Sequence, residues 1–260
     1  VTAAAVTGEP MKRVCDNLAR VRERIEAACR AAGRTVASVG LVGVTKSVSP
    51  ALARALLDAG CGDLAESRPQ ALWSKQEALA DRGDVRWHLI GHLQRNKVRR
   101  TLPLCHLVHS LDSQRLLAAL AAEAHGLGLT TDVLIEVNLT GAAARTGIAP
   151  GAVRPLLDAW PDAGVRLRGL MGMAAAPEAG ATADAARRQF AALRALRDRL
   201  REERPDLGLD ELSMGMSDDF EDAILEGATL VRIGSALWEG VTAGDEPGPS
   251  GFDHDGAALP

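Results

Sequence analysis

Eight short apolar runs recur along the chain, and each is followed by a segment of helical spacing or helix-forming composition. The runs are SVGLVGVTK (38–46), CGDLAES (61–67), VRWHLIG (85–91), HLVHSLD (106–112), TDVLIEVN (131–138), VRLRGLMGM (165–173), DELSMGM (210–216) and TLVRIG (229–234). Strict strand–helix alternation implies parallel strands with helices packed outside them. Eight such repeats in 260 residues have the size of a TIM-type (β/α)8 barrel. A doubly wound open sheet is the alternative, because periodicity does not show closure. One helix is additional: MKRVCDNLARVRERIEAACRAAG precedes the first strand, with apolar residues at helical spacing. The reading is a single α/β barrel over residues 11–240, preceded by a flexible segment 1–10. It is followed by a Gly-, Pro-, Asp- and Ser-rich tail, 241–260, expected to be disordered.

Composition narrows the function. Net charge is −4, which does not suggest a nucleic-acid or membrane-surface role. No apolar stretch approaches the length of a membrane span, and the N-terminus lacks the pattern of a signal peptide. A cytoplasmic protein is expected. Cys15, Cys29, Cys61 and Cys105 form no CxxC pair and read as reduced thiols, mostly buried. The chain contains no tyrosine, so one common catalytic acid or base is missing. The basic run QRNKVRR (94–100) has no interleaved aromatics and reads as a solvated helix face. A docking patch or a guide for an anionic ligand is the alternative reading.

In this type of barrel, function gathers at the C-terminal ends of the strands. Those ends carry Lys46, Glu66 with Ser67, Gly91 with His92, Ser110 with Asp112, Asn138, Met173, Ser213 through Ser217, and Gly234 with Ser235. Any one of these is an ordinary cap or strand end; together they suggest a ring of functional groups. The loops after strands seven and eight are the usual phosphate site. There Gly215 and Gly234 let the backbone approach a ligand, and Ser213 and Ser235 add hydroxyls. Asp218 and Asp219 read as complements to a helix dipole. Lys46, facing such a site, suggests a Schiff-base amine whose pKa is lowered by burial. Arg232 shares the inward face with Gly234 and stays charged at any ordinary pH. The bland alternatives are a snorkelling lysine and a structural ion pair.

These same segments resemble the YggS/PROSC family, the pyridoxal phosphate homeostasis proteins, whose fold resembles the N-terminal barrel of alanine racemase. The likeness runs through LVGVTKSVSP, DLAESRPQAL, WHLIGHLQRNKVR, VHSLDS, VLIEVNLTGAAARTGI, LRGLMGM and LSMGMSDDFEDAILEGATLVRIGSAL, over about residues 11–240. It implies that Lys46 carries pyridoxal 5′-phosphate (PLP) as a Schiff base. It also implies that Ser213, Gly234 and Ser235 bind the phosphate, and that Arg232 lies near the pyridine nitrogen. Asn138 and Met171 fall where the family lines its pocket, and His88 matches a motif position. Two departures stand out. The family's Gly-Glu-Asn triplet is Ala65-Glu66-Ser67 here, so Ser67 replaces an amide, and a family lysine is Arg145.

The resemblance makes a PLP homeostasis protein the leading expectation, one that holds or delivers PLP without substantial turnover. Apo forms of PLP-dependent enzymes are then possible recipients. An arginine beside the ring nitrogen would keep it unprotonated and weaken the electron sink. Alanine racemases work with a lysine and a tyrosine from the partner subunit, and this chain has no tyrosine. A PLP-dependent racemase or lyase of low activity is the second reading, and a class I aldolase using Lys46 the third. A monomer is expected, since the dimer-forming domain of the racemases has no counterpart here.

Overall fold

The structure is a computed structural model and describes residues 3, 5–142, 145–161, 163–175 and 184–241. Eight strands form one closed, all-parallel barrel in chain order. They are β1 (Gly40–Val44), β2 (Asp63–Glu66), β3 (Arg86–Leu89), β4 (Leu107–Leu111), β5 (Thr131–Val137), β6 (Val165–Gly172), β7 (Glu211–Ser213) and β8 (Leu230–Ile233). Closure is made by β1 on β8, from Gly40↔Leu230 to Gly43↔Ile233. This settles the choice left open by periodicity in favour of the barrel.

The helices are α1 (Glu9–Ala31), α2 (Pro50–Asp58), α3 (Pro69–Ala78), α4 (Val98–Thr101), α5 (Gln114–Leu127), α6 (Val153–Asp158), α7 (Ala185–Glu203) and α8 (Phe220–Leu225). Their ends follow local chemistry. Ser49 and Ser113 cap α2 and α5 by accepting the N–H groups of Leu52 and Leu116, each at 3.3 Å. Pro50 opens α2, and Gly128 ends α5 at φ 64°. The additional helix α1 buries Val14, Leu18, Val21, Ile25 and Cys29 along one face. Its Asn17 donates to the carbonyls of Leu237 and Glu239 at 3.0 and 2.9 Å, tying it to the end of the barrel.

A loose segment over residues 1–10 was expected. Within it Ala3 donates its N–H to Ala78 O at 2.9 Å, Val6 is buried, and α1 already begins at Glu9. Of the expected tail, Val241 bonds back to Trp238 O, and residues 242–260 lie outside the described residues. Among the described residues no helix is long and apolar enough to cross a membrane.

The apolar core lies mainly between the strands and the helices. Two smaller clusters hold the lumen: Val42, Val44 and Ala65 on one side, Leu107, Leu134 and Met171 on the other. At the N-terminal mouth the lumen is ionic. Arg86 grips both oxygens of Asp63, while Arg166 and Arg168 donate to Asp132 at 2.6 and 3.1 Å.

Candidate functional site

The site is built at the C-terminal mouth where β1 meets β8. Lys46 stands two residues beyond Val44, in the turn that leads to α2. A Cβ on Gly234 would lie 3.5 Å from Val44 Cβ, so the loop after β8 packs directly on the end of β1. Trp238 Nε1 donates to Val44 O at 2.9 Å and fixes the same junction. Lys46 is exposed, not buried, so the burial invoked to free its amine is not present. Among the described residues its amine makes no ion pair or side-chain hydrogen bond.

The turn carrying Lys46 is anchored from beneath. Lys75 of α3 donates to Thr45 O and to Glu66 Oε1, each at 2.5 Å, and Thr45 Oγ1 donates to the same Glu66 oxygen at 2.6 Å. The Lys75 and Glu66 side chains are only 7% and 1% exposed. Removing one member of so buried a pair costs about 3–5 kcal/mol, because the other charge is left unpaired. Glu66 Oε2 is buried and finds no partner among the described residues. Sequence reasoning noted Glu66 but not its pairing with Lys75; the spacing of nine residues crosses a strand end and a helix, so no local periodicity marks it.

Arg232 occupies the lumen opposite Val42 in register. Its Nη1 donates to Ser213 Oγ at 2.6 Å and its Nη2 to Gly172 O at 3.1 Å. No carboxylate pairs with it among the described residues. Burial pushes the guanidinium down to about 10, against the pull of Asp219 and Glu136, which leaves it charged at neutral pH. Glu136, also buried in the lumen, is itself pushed up by burial despite the hydrogen bond from Thr146 Oγ1 at 2.5 Å.

The loops after β7 and β8 supply backbone donors. Gly234 and Ala236 direct their N–H groups to Ser217 Oγ at 3.3 and 3.2 Å, and Ser235 is exposed between them. Gly215 has φ 91°, and a Cβ there would lie 2.6 Å from Ala223 Cβ, so only glycine lets this loop fold onto α8. Asp219 accepts the Met216 N–H at 2.6 Å and closes the turn, while burial raises its own pKa.

The predicted ligands therefore separate. Lys46, Gly234 and Ser235 lie together, with Arg232 below them in the lumen. Ser213 does not present its hydroxyl to the loops: it is fully buried, bonded to Arg232 and to His109 Nδ1. Ser217, read from sequence as a cap, holds the loop position instead. Asn138 spends its side chain on its own loop. It donates to Ala142 O at 2.9 Å and accepts from Thr140 and Gly141 N–H groups at 3.1 Å. Arg145 donates to Ala174 O at 3.2 Å, bracing that loop against the end of β6. Met171 is core, packed in the lumen with Leu107 and Leu134. Ser67 lines an open cleft with Arg68, His92, Gln94 and Lys97. In the basic run, Arg99 pairs with Glu123 at 3.0 Å and Arg100 covers the Trp73 ring at 4.2 Å, as a helix surface would. The four cysteines are free, and burial pushes Cys61 up to about 11, which makes it a poor nucleophile.

Residues 16–241 match the family model described as "Alanine racemase, N-terminal domain". The fold and site thus define a barrel of the alanine racemase N-terminal class. Within that class the similarity is more particular. The pyridoxal phosphate homeostasis protein of Pseudomonas aeruginosa is 42% identical over 230 residues, covering 88% of this chain and 96% of its own. That of Aquifex aeolicus is 40% identical over 225 residues, covering 86% and 96%. A solved structure of PipY from Synechococcus elongatus, with PLP bound, has 33% identity and a TM-score of 0.75, covering 86% of this chain and 99% of that one. The chain belongs to the pyridoxal phosphate homeostasis protein family.

Proposed function

We propose that this protein binds PLP for intracellular homeostasis, holding it covalently through the Lys46 amine and releasing it to apo forms of PLP-dependent enzymes. The observation that carries the reading is an amine at the barrel mouth beside a glycine–serine loop and above the buried Arg232, neither of them paired with a carboxylate among the described residues. These residues fit the cofactor's three chemical handles. Lys46 offers a nucleophile for an aldehyde. Backbone N–H groups at Gly234 and Ala236, with Ser217 and Ser235, would hold a phosphate, and Gly215 permits that loop. Arg232, oriented by Ser213, would donate to a ring nitrogen. Met171 and Asn138 would shape the floor and one wall, and Ser67 the opposite rim. Relatives named for PLP homeostasis, and a relative's structure with PLP bound, support the same reading.

When bound, PLP supplies an electron-withdrawing ring for carbanion chemistry. Arg232 would work against that use, because a charged guanidinium placed to donate to the ring nitrogen does not readily release its proton. Carriage without substantial turnover follows from that donor and from the absence of tyrosine in the chain. Action as a monomer in the cytoplasm belongs to the same reading. The experiment is a PLP titration followed by absorbance, and then mixing of the loaded protein with an apo PLP-dependent enzyme. Wild type should take up one PLP saturably and restore the acceptor's activity, whereas Lys46→Ala should show no covalent absorbance signature. Equal signatures in both proteins would contradict the reading.

A further inference from the structure

A line of hydrogen bonds crosses the barrel from its N-terminal mouth to Arg232. Asp63 Oδ1 lies 3.0 Å from His88 Nε2, and His88 Nδ1 lies 2.9 Å from His109 Nε2. His109 Nδ1 is 2.9 Å from Ser213 Oγ, which receives Arg232 Nη1 at 2.6 Å. The five residues come from β2, β3, β4, β7 and β8, so the line spans the lumen instead of following one strand. His88, His109, Ser213 and Arg232 are all buried. The usual filling of such a lumen is branched apolar side chains, and a buried polar line is costly unless every member is satisfied.

Its polarity is determined from one end. An ionised carboxylate only accepts, so His88 Nε2 carries a proton and donates to Asp63. With one proton on each imidazole, His88 Nδ1 accepts from His109 Nε2, and His109 Nδ1 accepts the single Ser213 proton. Ser213 Oγ in turn accepts from Arg232, whose guanidinium has donors only. Both histidines then hold the same tautomer, and no link is left with two donors or two acceptors. The groups facing the line agree. Arg86 grips both oxygens of Asp63, and His106 meets the His88 ring edge-on at 5.5 Å. Burial, with neighbouring His88 and Arg232, holds His109 well below the usual imidazole range. Burial alone would raise the Asp63 carboxyl, but hydrogen bonds from His88 and Arg86 outweigh it and hold it low.

We infer that Asp63, at the mouth opposite Lys46, is a remote positioning residue that acts through His88, His109 and Ser213 to hold Arg232 as a fixed donor toward the cofactor. The N-terminal end of such a barrel is ordinarily assigned to stability alone; here it also sets a group in the binding site. The inference rests on the reading that PLP sits above Arg232.

The test has two arms. In the first, ¹⁵N NMR of the cofactor-free protein reports the tautomers of His88 and His109; both should be protonated on Nε2. In Asp63→Asn, whose amide can donate as well as accept, both histidines should lose that single tautomer, whereas Ser213→Thr, which keeps the hydroxyl, should retain it. In the second arm PLP is titrated into wild type, Asp63→Asn, Ser213→Ala and Ser213→Thr, each first shown to be folded by circular dichroism. Asp63→Asn and Ser213→Ala should bind PLP about tenfold more weakly, the effect of one hydrogen bond to a charged group. Their bound absorbance maximum should shift, and Ser213→Thr should match wild type. A wild-type Nδ1–H tautomer at either histidine would overturn the inference. So would PLP affinities and spectra in Asp63→Asn and Ser213→Ala equal to those of wild type. If wild type took up no PLP, the functional reading would fail, and the tautomers would still decide whether the line exists as described.

Discussion

Ser213 and Ser217 stand four residues apart in LSMGMS. The first ends β7 with its hydroxyl inside the lumen, and the second meets the N–H groups of Gly234 and Ala236. If Ser217 belongs to the phosphate cradle, Ser217→Ala should weaken PLP binding by about tenfold. It should leave the weaker binding of pyridoxal, which lacks the phosphate, unchanged. Parallel titrations of the two ligands check this, and equal losses for both would contradict it. Lys46, Arg232, Gly234 and Ser235 were legible in the sequence because each interrupts or follows an apolar run. The sequence reading gives the phosphate contact to Ser213, whose hydroxyl lies in the lumen, and we propose Ser217 in its place. Nothing local in LSMGMS tells where alternation stops and the loop begins. His109 was hidden for a different reason: its partner Ser213 is 104 residues away, and only barrel closure brings them together.

Among the elements, β6 depends on one irregularity. The register with β5 runs Val133↔Leu167 and then Leu134↔Gly169, so Arg168 is an extra residue. That bulge lets Arg166 and Arg168 both reach Asp132, at 2.6 and 3.1 Å, while Met171 still faces the lumen. Gly169 makes it possible: its φ is 154°, and a Cβ there would run into the Glu211 backbone carbonyl of β7. Gly169→Ala should destabilise the fold by about 3 kcal/mol, the upper range for forced overpacking, measured by urea unfolding. A loss under about 0.5 kcal/mol, the size of a neutral surface change, would contradict the close approach. The alternation in VRLRGLMGM placed the strand correctly, but it shows arginines where a lumen residue belongs. Only the partner Asp132, on the neighbouring strand, explains them.

At the scale of the whole molecule, barrel closure collects the groups proposed to hold the cofactor at one mouth and the ionic groups at the other, joined by buried imidazoles. This arrangement has a pH signature. His109 is held below its unfolded value of about 6.5. Below that pH the unfolded chain binds a proton that the folded barrel refuses. Stability is therefore fully present above about pH 6.5 and is lost as pH falls, at about 1.4 kcal/mol per pH unit for one proton. Urea unfolding between pH 7 and 5 should show this slope reduced by one proton in His109→Gln relative to wild type. Equal slopes would mean that His109 is not held neutral. The strand count, the helix order and the polar strand ends could all be read from the sequence, since each depends on local periodicity. Closure, the lumen's polar line and the Lys75–Glu66 anchor could not, because they are contacts between distant elements.

We propose that the Lys46 amine, in the turn after β1, holds the cofactor. The most direct test is to load the purified protein with PLP, reduce it with borohydride, and map the modified peptide by mass spectrometry. A pyridoxyl-phosphate adduct on Lys46, absent from Lys46→Ala, is the predicted result. An adduct confined to other lysines, with Lys46 unmodified at saturating PLP, would contradict it.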